Sequence, residues 1–155
     1  MRKILIVCHG NICRSPMAEG YMRKLLENRG IDGVEIDSAG IGALSGYPAS
    51  DSAREVARSH GFSIDDHRAR QITTADLEYY DEILVMEQVQ RAMLQTHSEA
   101  LAVHISLLGE FGAASGPEIN DPYGGDVDSY HETFALLEDA VEGYVEKRFP
   151  KKCDD

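Results

Sequence analysis

The sequence predicts an α/β fold: one domain in which helices cover a parallel sheet. Three observations carry this. Apolar, β-branched runs alternate with helical periodicity from one end of the chain to the other. The first run, "KILIVC", has no polar alternation after its lysine, as in a strand covered on both faces. The length, 155 residues, suits one compact domain.

The elements follow in order. Lys3–Cys8 predicts a buried strand. Pro16 fits the first turn of the next helix, and Gly30 stops it after "MAEGYMRKLLENR". "GVEIDSAG" predicts a second strand with Val34 and Ile36 on one face, and a loop rich in Gly and Ser runs on to about Ala49. A helix then reaches His60 and ends at Gly61, and "TTADLEYYD" opens a short helix with cap-like threonines. "EILVM" is a third strand, "EQVQRAMLQT" a helix and "AVHISLL" a fourth strand. Gly109–Asp128 predicts an irregular connection, and Phe134, Leu137, Val141 and Tyr144 mark a final helix over Ser129–Arg148. The domain therefore covers 1–150, and residues 151–155 form a disordered tail. No repeat or low-complexity segment interrupts it.

Composition narrows the function. With 43% apolar residues the chain buries a real core. Its 27 acidic against 15 basic residues give a net charge of −12, which argues against a nucleic-acid or anionic-membrane surface. An anionic substrate meets a repulsive overall field, but salt screens that field beyond about 8 Å, so local geometry decides. Three cysteines, two of them in one short loop, predict reduced thiols and no disulfide framework. Arg2, Lys3 and a short apolar run make neither a signal peptide nor a span. The expectation is a soluble, cytoplasmic protein without a lipid anchor.

The loop after the first strand carries the chemistry. In such sheets ligands sit beyond the carboxyl ends of strands, where Cys8–Ser15 falls. Gly10 permits close approach of the backbone, and Asn11 tolerates a left-handed turn. Amides from His9 to Arg14 then point inward as an anion nest, reinforced by the following helix N-terminus. Arg14 can fork two hydrogen bonds onto a tetrahedral oxyanion. The same positive surroundings favour a thiolate at Cys8, so the pattern predicts a nucleophile at the floor of a phosphate cradle. A proton donor for the leaving oxygen is offered by Asp121 in "NDPYGG", stiffened by Pro122 and opened by Gly124 and Gly125. Two other patterns fail on inspection. Cys8, His9 and Cys13 have no fourth zinc ligand at a finger-like spacing, and Arg14 repels a cation. "GIGALSG" places its third glycine one residue late for a dinucleotide loop.

"VCHGNICRSPMAE" resembles the C-x-G-N-x-C-R-S-P signature of the low-molecular-weight protein tyrosine phosphatases. "DSAG", "HRARQIT", "DEILVM" and "NDPYGG" follow in that family's order, and the match spans roughly residues 3–148. The resemblance implies a flavodoxin-like sheet of strand order 2-1-3-4, no metal and no cofactor. It implies Cys8 as nucleophile, Arg14 as phosphate-binding arginine, Asp121 as general acid and base, and Ser15 as the hydroxyl that steadies the thiolate. Asn11, Ser38 and His67 match a polar network that holds the loop. Cys13 matches a second cysteine able to form a disulfide with Cys8 on oxidation. His9, Gly10, Asn11, Ile12, Cys13 and Ser15 would line the substrate site, with Leu44 and Tyr123 as its outer walls. Leu44 stands where relatives commonly carry an aromatic, and D-P-Y-G replaces their frequent D-P-Y-Y.

The same resemblance implies a phosphorylated protein as partner, a tyrosine kinase among the candidates, and a monomeric enzyme. The D-P-[FY]-G-G form and "MAE" are also similar to the protein arginine phosphatase branch, which usually carries threonine where Ile12 stands. Ile12 favours the tyrosine branch. Arsenate reductases share this loop but need a cysteine relay, and here the remaining cysteine, Cys153, lies in the tail. An idle phosphate-binding module would not need nucleophile, arginine and acid together.

Overall fold

The computed structural model describes residues 2–97, 104–113 and 116–150. Four parallel strands form one sheet in the order β2-β1-β3-β4, the order that the resemblance implies. The chain runs β1 (Arg2–Cys8), α1 (Arg14–Asn28), β2 (Val34–Gly40), α2 (Asp51–Ser59), α3 (Thr74–Tyr79), β3 (Glu82–Val85), α4 (Gln88–His97), β4 (Ile105–Leu107), a 3-10 turn (Leu108–Phe111) and α5 (Val127–Arg148).

β1 is central, and its side chains alternate between two cores. Ile4, Ile6 and Cys8 face the core built with Met17, Met22, Val56, Phe134 and Val141 from α1, α2 and α5. Leu5 and Val7 face the core built with Leu77, Ile83, Val85 and Leu94 from α3, β3 and α4. This explains the unbroken apolar run, since neither face of β1 meets water. It also delivers Cys8, the last residue of the strand, to the α1 side at the carboxyl end of the sheet.

Pro16 takes the expected first-turn position of α1, which begins at Arg14, where an N–H would have no intrahelical acceptor. Two other expectations need adjustment. α5 begins at Val127 instead of Ser129, because the Asp126 carboxylate accepts the Ser129 N–H at 2.9 Å. That amide, with the Ser129 hydroxyl, holds the Asp126 carboxyl below its ordinary value. The acidic run at Asp126–Asp128 is therefore a helix cap as well as a solvated face. Finally, the connection after β4 opens with the 3-10 turn. A Cβ at Gly109 would lie 2.1 Å from the Pro117 carbonyl oxygen, so this close return of the chain requires glycine. The start expected for the fourth strand and the expected tail lie outside the described residues.

At the other end of the sheet Glu82 is 6% exposed. Its carboxylate accepts hydrogen bonds from Tyr144 Oη at 2.7 Å, Arg2 Nη2 at 2.9 Å and Arg148 Nε at 3.1 Å. These tie β1, β3 and α5 together. Burial opposes the charged form, but bonds from Arg148, Tyr144 and Arg2 outweigh it and hold the carboxyl below its ordinary value of 4.5. A depressed folded-state pKa stabilises the fold above the unfolded value, and that stabilisation fades as pH falls through the folded one. Glu82→Gln should cost about 1.5–3 kcal/mol in denaturant unfolding at pH 7. The gap to the parent protein should close as the same measurement moves below pH 4.

Candidate active site

Six consecutive carbonyls, Cys8 to Cys13, turn outward at the end of β1. Cys8 O, His9 O and Gly10 O accept the amides of Ile41, Gly42 and Leu44 at 3.0, 2.9 and 3.1 Å. Asn11 O accepts His67 Nε2 at 2.7 Å, Ile12 O the Ser50 amide at 2.9 Å, and Cys13 O the Met17 amide at 3.3 Å. In a trans peptide the N–H opposes the preceding carbonyl, so the amides of His9 to Arg14 turn inward. Among the described residues no hydrogen bond takes up the amides of Gly10, Asn11, Ile12 or Cys13. The expected nest is there, open and unfilled by protein.

Asn11 makes this turn possible. It has φ 60°, the one positive φ outside glycine among the described residues. Its side chain is buried and fully used. Nδ2 donates to Ser15 Oγ at 2.7 Å and to Ser38 Oγ at 3.0 Å, while Oδ1 accepts the Arg70 amide at 2.9 Å. The network of Asn11, Ser38 and His67 thus stands around the loop, with the Arg70 amide as a member that sequence alone did not reveal. Gly40 is needed too, because a Cβ there would lie 2.5 Å from His9 O.

Cys8 Sγ lies 3.0 Å from Ser15 Oγ and 3.5 Å from the Ser15 amide. When Cys8 is a thiolate, Ser15 must be the donor in this pair, while its oxygen accepts from Asn11 Nδ2. Arg14 is 1% exposed. Its Nη1 donates to Glu87 Oε1 and to the Ile119 carbonyl, both at 2.7 Å. Its Nε has no partner, and Nη2 stands 3.6 Å from Asp121 Oδ2, beyond hydrogen-bond distance. The Nε–Nη2 edge, which can grip two oxygens side-on, therefore makes no hydrogen bond and meets Asp121 by charge alone.

A cavity of about 200 Å³ opens above the loop, lined by Cys8, His9, Gly10, Ile12, Cys13, Gly42, Leu44, Asp121 and Tyr123. Leu44 and Tyr123 are 39% and 64% exposed and form its rim. Asp121 Oδ1 accepts the Tyr123 amide at 3.0 Å, which fixes the carboxylate over the mouth. Of the residues expected in the site, Cys8, His9, Gly10, Ile12, Cys13, Leu44, Asp121 and Tyr123 line this cavity, whereas Asn11, Arg14 and Ser15 are buried in the loop beside it and do not.

Cys13 is a free thiol, as is Cys8. Its sulfur lies 3.2 Å from Tyr130 Oη and 3.6 Å from Ser50 Oγ. Burial pushes this thiol up, against the opposing effect of those two hydroxyls. Burial and the Cys13 contact push the Tyr130 hydroxyl up to about 12. Glu87, Tyr130, Ser50 and the Ile119 carbonyl were missed. Glu87 alone had a signal, its position just past the carboxyl end of the third strand.

Asn11→Ala should lose three hydrogen bonds, leave the Arg70 amide unpaired and place a Cβ residue at positive φ. A loss of about 2–4 kcal/mol is expected in denaturant unfolding, with phosphate binding weakened in calorimetry.

The chain matches the family model described as low molecular weight phosphotyrosine protein phosphatase over residues 3–153. It is 41% identical to a probable low molecular weight protein-tyrosine-phosphatase, EpsP, of Ralstonia nicotianae, over 94% of each chain. Among solved structures it superposes on the low molecular weight protein tyrosine phosphatase of T. tengcongensis with TM-score 0.87 and 36% identity, covering 95% of this chain and 99% of that one. The YwlE arginine phosphatase of Geobacillus stearothermophilus gives TM-score 0.83 and 32% identity, covering 95% and 92%. Sequence, fold and loop geometry agree, and the chain belongs to the low molecular weight phosphotyrosine protein phosphatase family.

Proposed function

We propose that this protein hydrolyses phosphotyrosine in protein substrates through a cysteinyl-phosphate intermediate. One observation carries the assignment: a cysteine sulfur shares its loop with an open amide nest and a buried arginine whose Nε–Nη2 edge makes no hydrogen bond. The nest and Arg14 hold three phosphate oxygens. The Cys8 thiolate attacks phosphorus, the S–P bond forms and the ester P–O bond breaks. Asp121, as the carboxylic acid, gives its proton to the leaving phenolate. Its carboxylate then takes a proton from water, whose oxygen attacks phosphorus and breaks the S–P bond. Inorganic phosphate leaves and the thiolate returns. Ser15 supports the thiolate by its hydrogen bond, and charge building on the phosphoryl oxygens is met by groups already in place.

The phosphoarginine alternative uses the same Cys8, Arg14 and Asp121 but breaks a P–N bond with a guanidino leaving group, and the likeness to YwlE supports it. The cavity wall supports tyrosine. Ile12 lines the cavity beside Leu44 and Tyr123, and a flat phenyl ring gains from that apolar wall. A guanidino group against Ile12, Leu44 and the Tyr123 ring would lose hydrogen bonds to water on that side.

Cys8→Ser should abolish turnover while phosphate or vanadate still binds; substantial residual kcat would remove Cys8 from the mechanism. Asp121→Asn should slow phosphotyrosine hydrolysis by about 10²–10⁴, because a phenol with pKa near ~10 needs the proton. An aryl phosphate with an acidic leaving group should suffer much less, and equal losses would show that Asp121 is not the acid. Peptides of matched sequence should be cleaved faster with phosphotyrosine than with phosphoarginine, by about tenfold or more. Ile12→Thr should narrow that ratio. A parent enzyme preferring phosphoarginine would overturn the substrate assignment.

A further inference from the structure

The imidazole of His9 occupies space that a side chain at position 42 would take. A Cβ at Gly42 would lie 2.9 Å from the imidazole Cε1 and 3.0 Å from Nε2. His9 is exposed and lines the cavity together with Leu44, Asp121 and Tyr123. Among the described residues, no hydrogen bond or ion pair engages its ring nitrogens. Loop position 9 therefore supplies two things: an inward amide, and a ring at the mouth whose nitrogens are uncommitted.

We propose that the His9 imidazole is a specificity-determining wall of this cavity, which packs against an aryl phosphate's ring and, once protonated, attracts its doubly charged phosphate. The proposal rests on the phosphatase assignment for the same cavity. Aromatic rings gain from offset or edge contact at this range. Histidine is the side chain whose charge ordinarily changes between pH 5 and 8. Next to Cys8 in sequence, the ring is well inside a screening length of the bound phosphate. The charged or titratable groups around it are Cys8, Cys13 and Arg14 from its own loop, and Asp121 and Tyr123 from the loop before α5. Gly42 and Leu44, from the loop after β2, add none. Arg14 is already engaged by Glu87, so a protonated His9 adds an independent positive charge to the cavity that it shares with Asp121. The favoured ligand class is the dianionic aryl monoester over singly charged diesters.

The test measures phenylphosphonate binding by calorimetry at pH 6, 7 and 8 for the parent protein, His9→Gln and Gly42→Ala. Comparing Kd values at each pH cancels the ligand's own ionisation. The His9→Gln to parent ratio should be within about twofold at pH 8 and reach about fivefold or more at pH 6. Gly42→Ala keeps the histidine but displaces its ring, and should show a similar loss at pH 6. A ratio that stays flat with pH would overturn the proposal. Failure of the phosphatase assignment shows separately, as absence of aryl phosphate turnover by the parent enzyme, while the binding comparison still decides the role of His9.

Discussion

A peptide plane that presents its carbonyl to one neighbour turns its N–H away from it, and this site stacks six such planes in a row. The outward carbonyls of Cys8 to Ile12 are held by the segment 41–50 and by His67, and that of Cys13 by the Met17 amide in α1. Remove those acceptor bonds and nothing compels the amides to converge. The cradle is thus made by what surrounds the loop as much as by the loop itself. Asn11 is the hinge of the arrangement, since its positive φ lets the chain curl and its side chain fastens the curl to β2 and to residue 70. The strain is local, and the compensation is spread over three segments.

The electrostatics follow the same division between global and local. The chain carries a net charge of −12, yet its cavity floor holds partial positive charge from backbone amides, the start of α1 and a full charge on Arg14. Arg14 is oriented by Glu87 and the Ile119 carbonyl through one nitrogen, which leaves the other edge for a ligand. Using Glu87 to position Arg14 costs some positive potential. The gain is a guanidinium with one orientation, pre-organised before substrate arrives.

Much of this was legible in the sequence because its signals are local. The unbroken apolar run announced β1, and Cys8, Gly10, Asn11, Arg14 and Ser15 lie within eight consecutive positions. Helix limits were less legible, since Asp126 reads as one more acid until its carboxylate is seen on the Ser129 amide. The supports of Arg14 and Cys13 come from residues 73 and 117 positions away. No periodicity or motif links such pairs, because only folding brings Glu87 or Tyr130 to the loop. Glu82 was hidden for a related reason. A carboxylate in a strand pattern looks like an edge residue, and its two arginines and Tyr144 arrive from the far ends of the chain.

The alternation along β1 limits how this protein can vary. Ile4, Ile6 and Cys8 share one face and Leu5 and Val7 the other. A single residue inserted or deleted within this strand would do more than lengthen or shorten it. It would carry the thiol through the sheet to the side of α3 and α4, away from Arg14, while exchanging the two sets of core side chains. Substitutions can accumulate in β1 so long as they stay apolar and similar in volume. Changes of length are confined to loops that carry no site residue, such as the turn between α1 and β2, where no strand parity has to be kept.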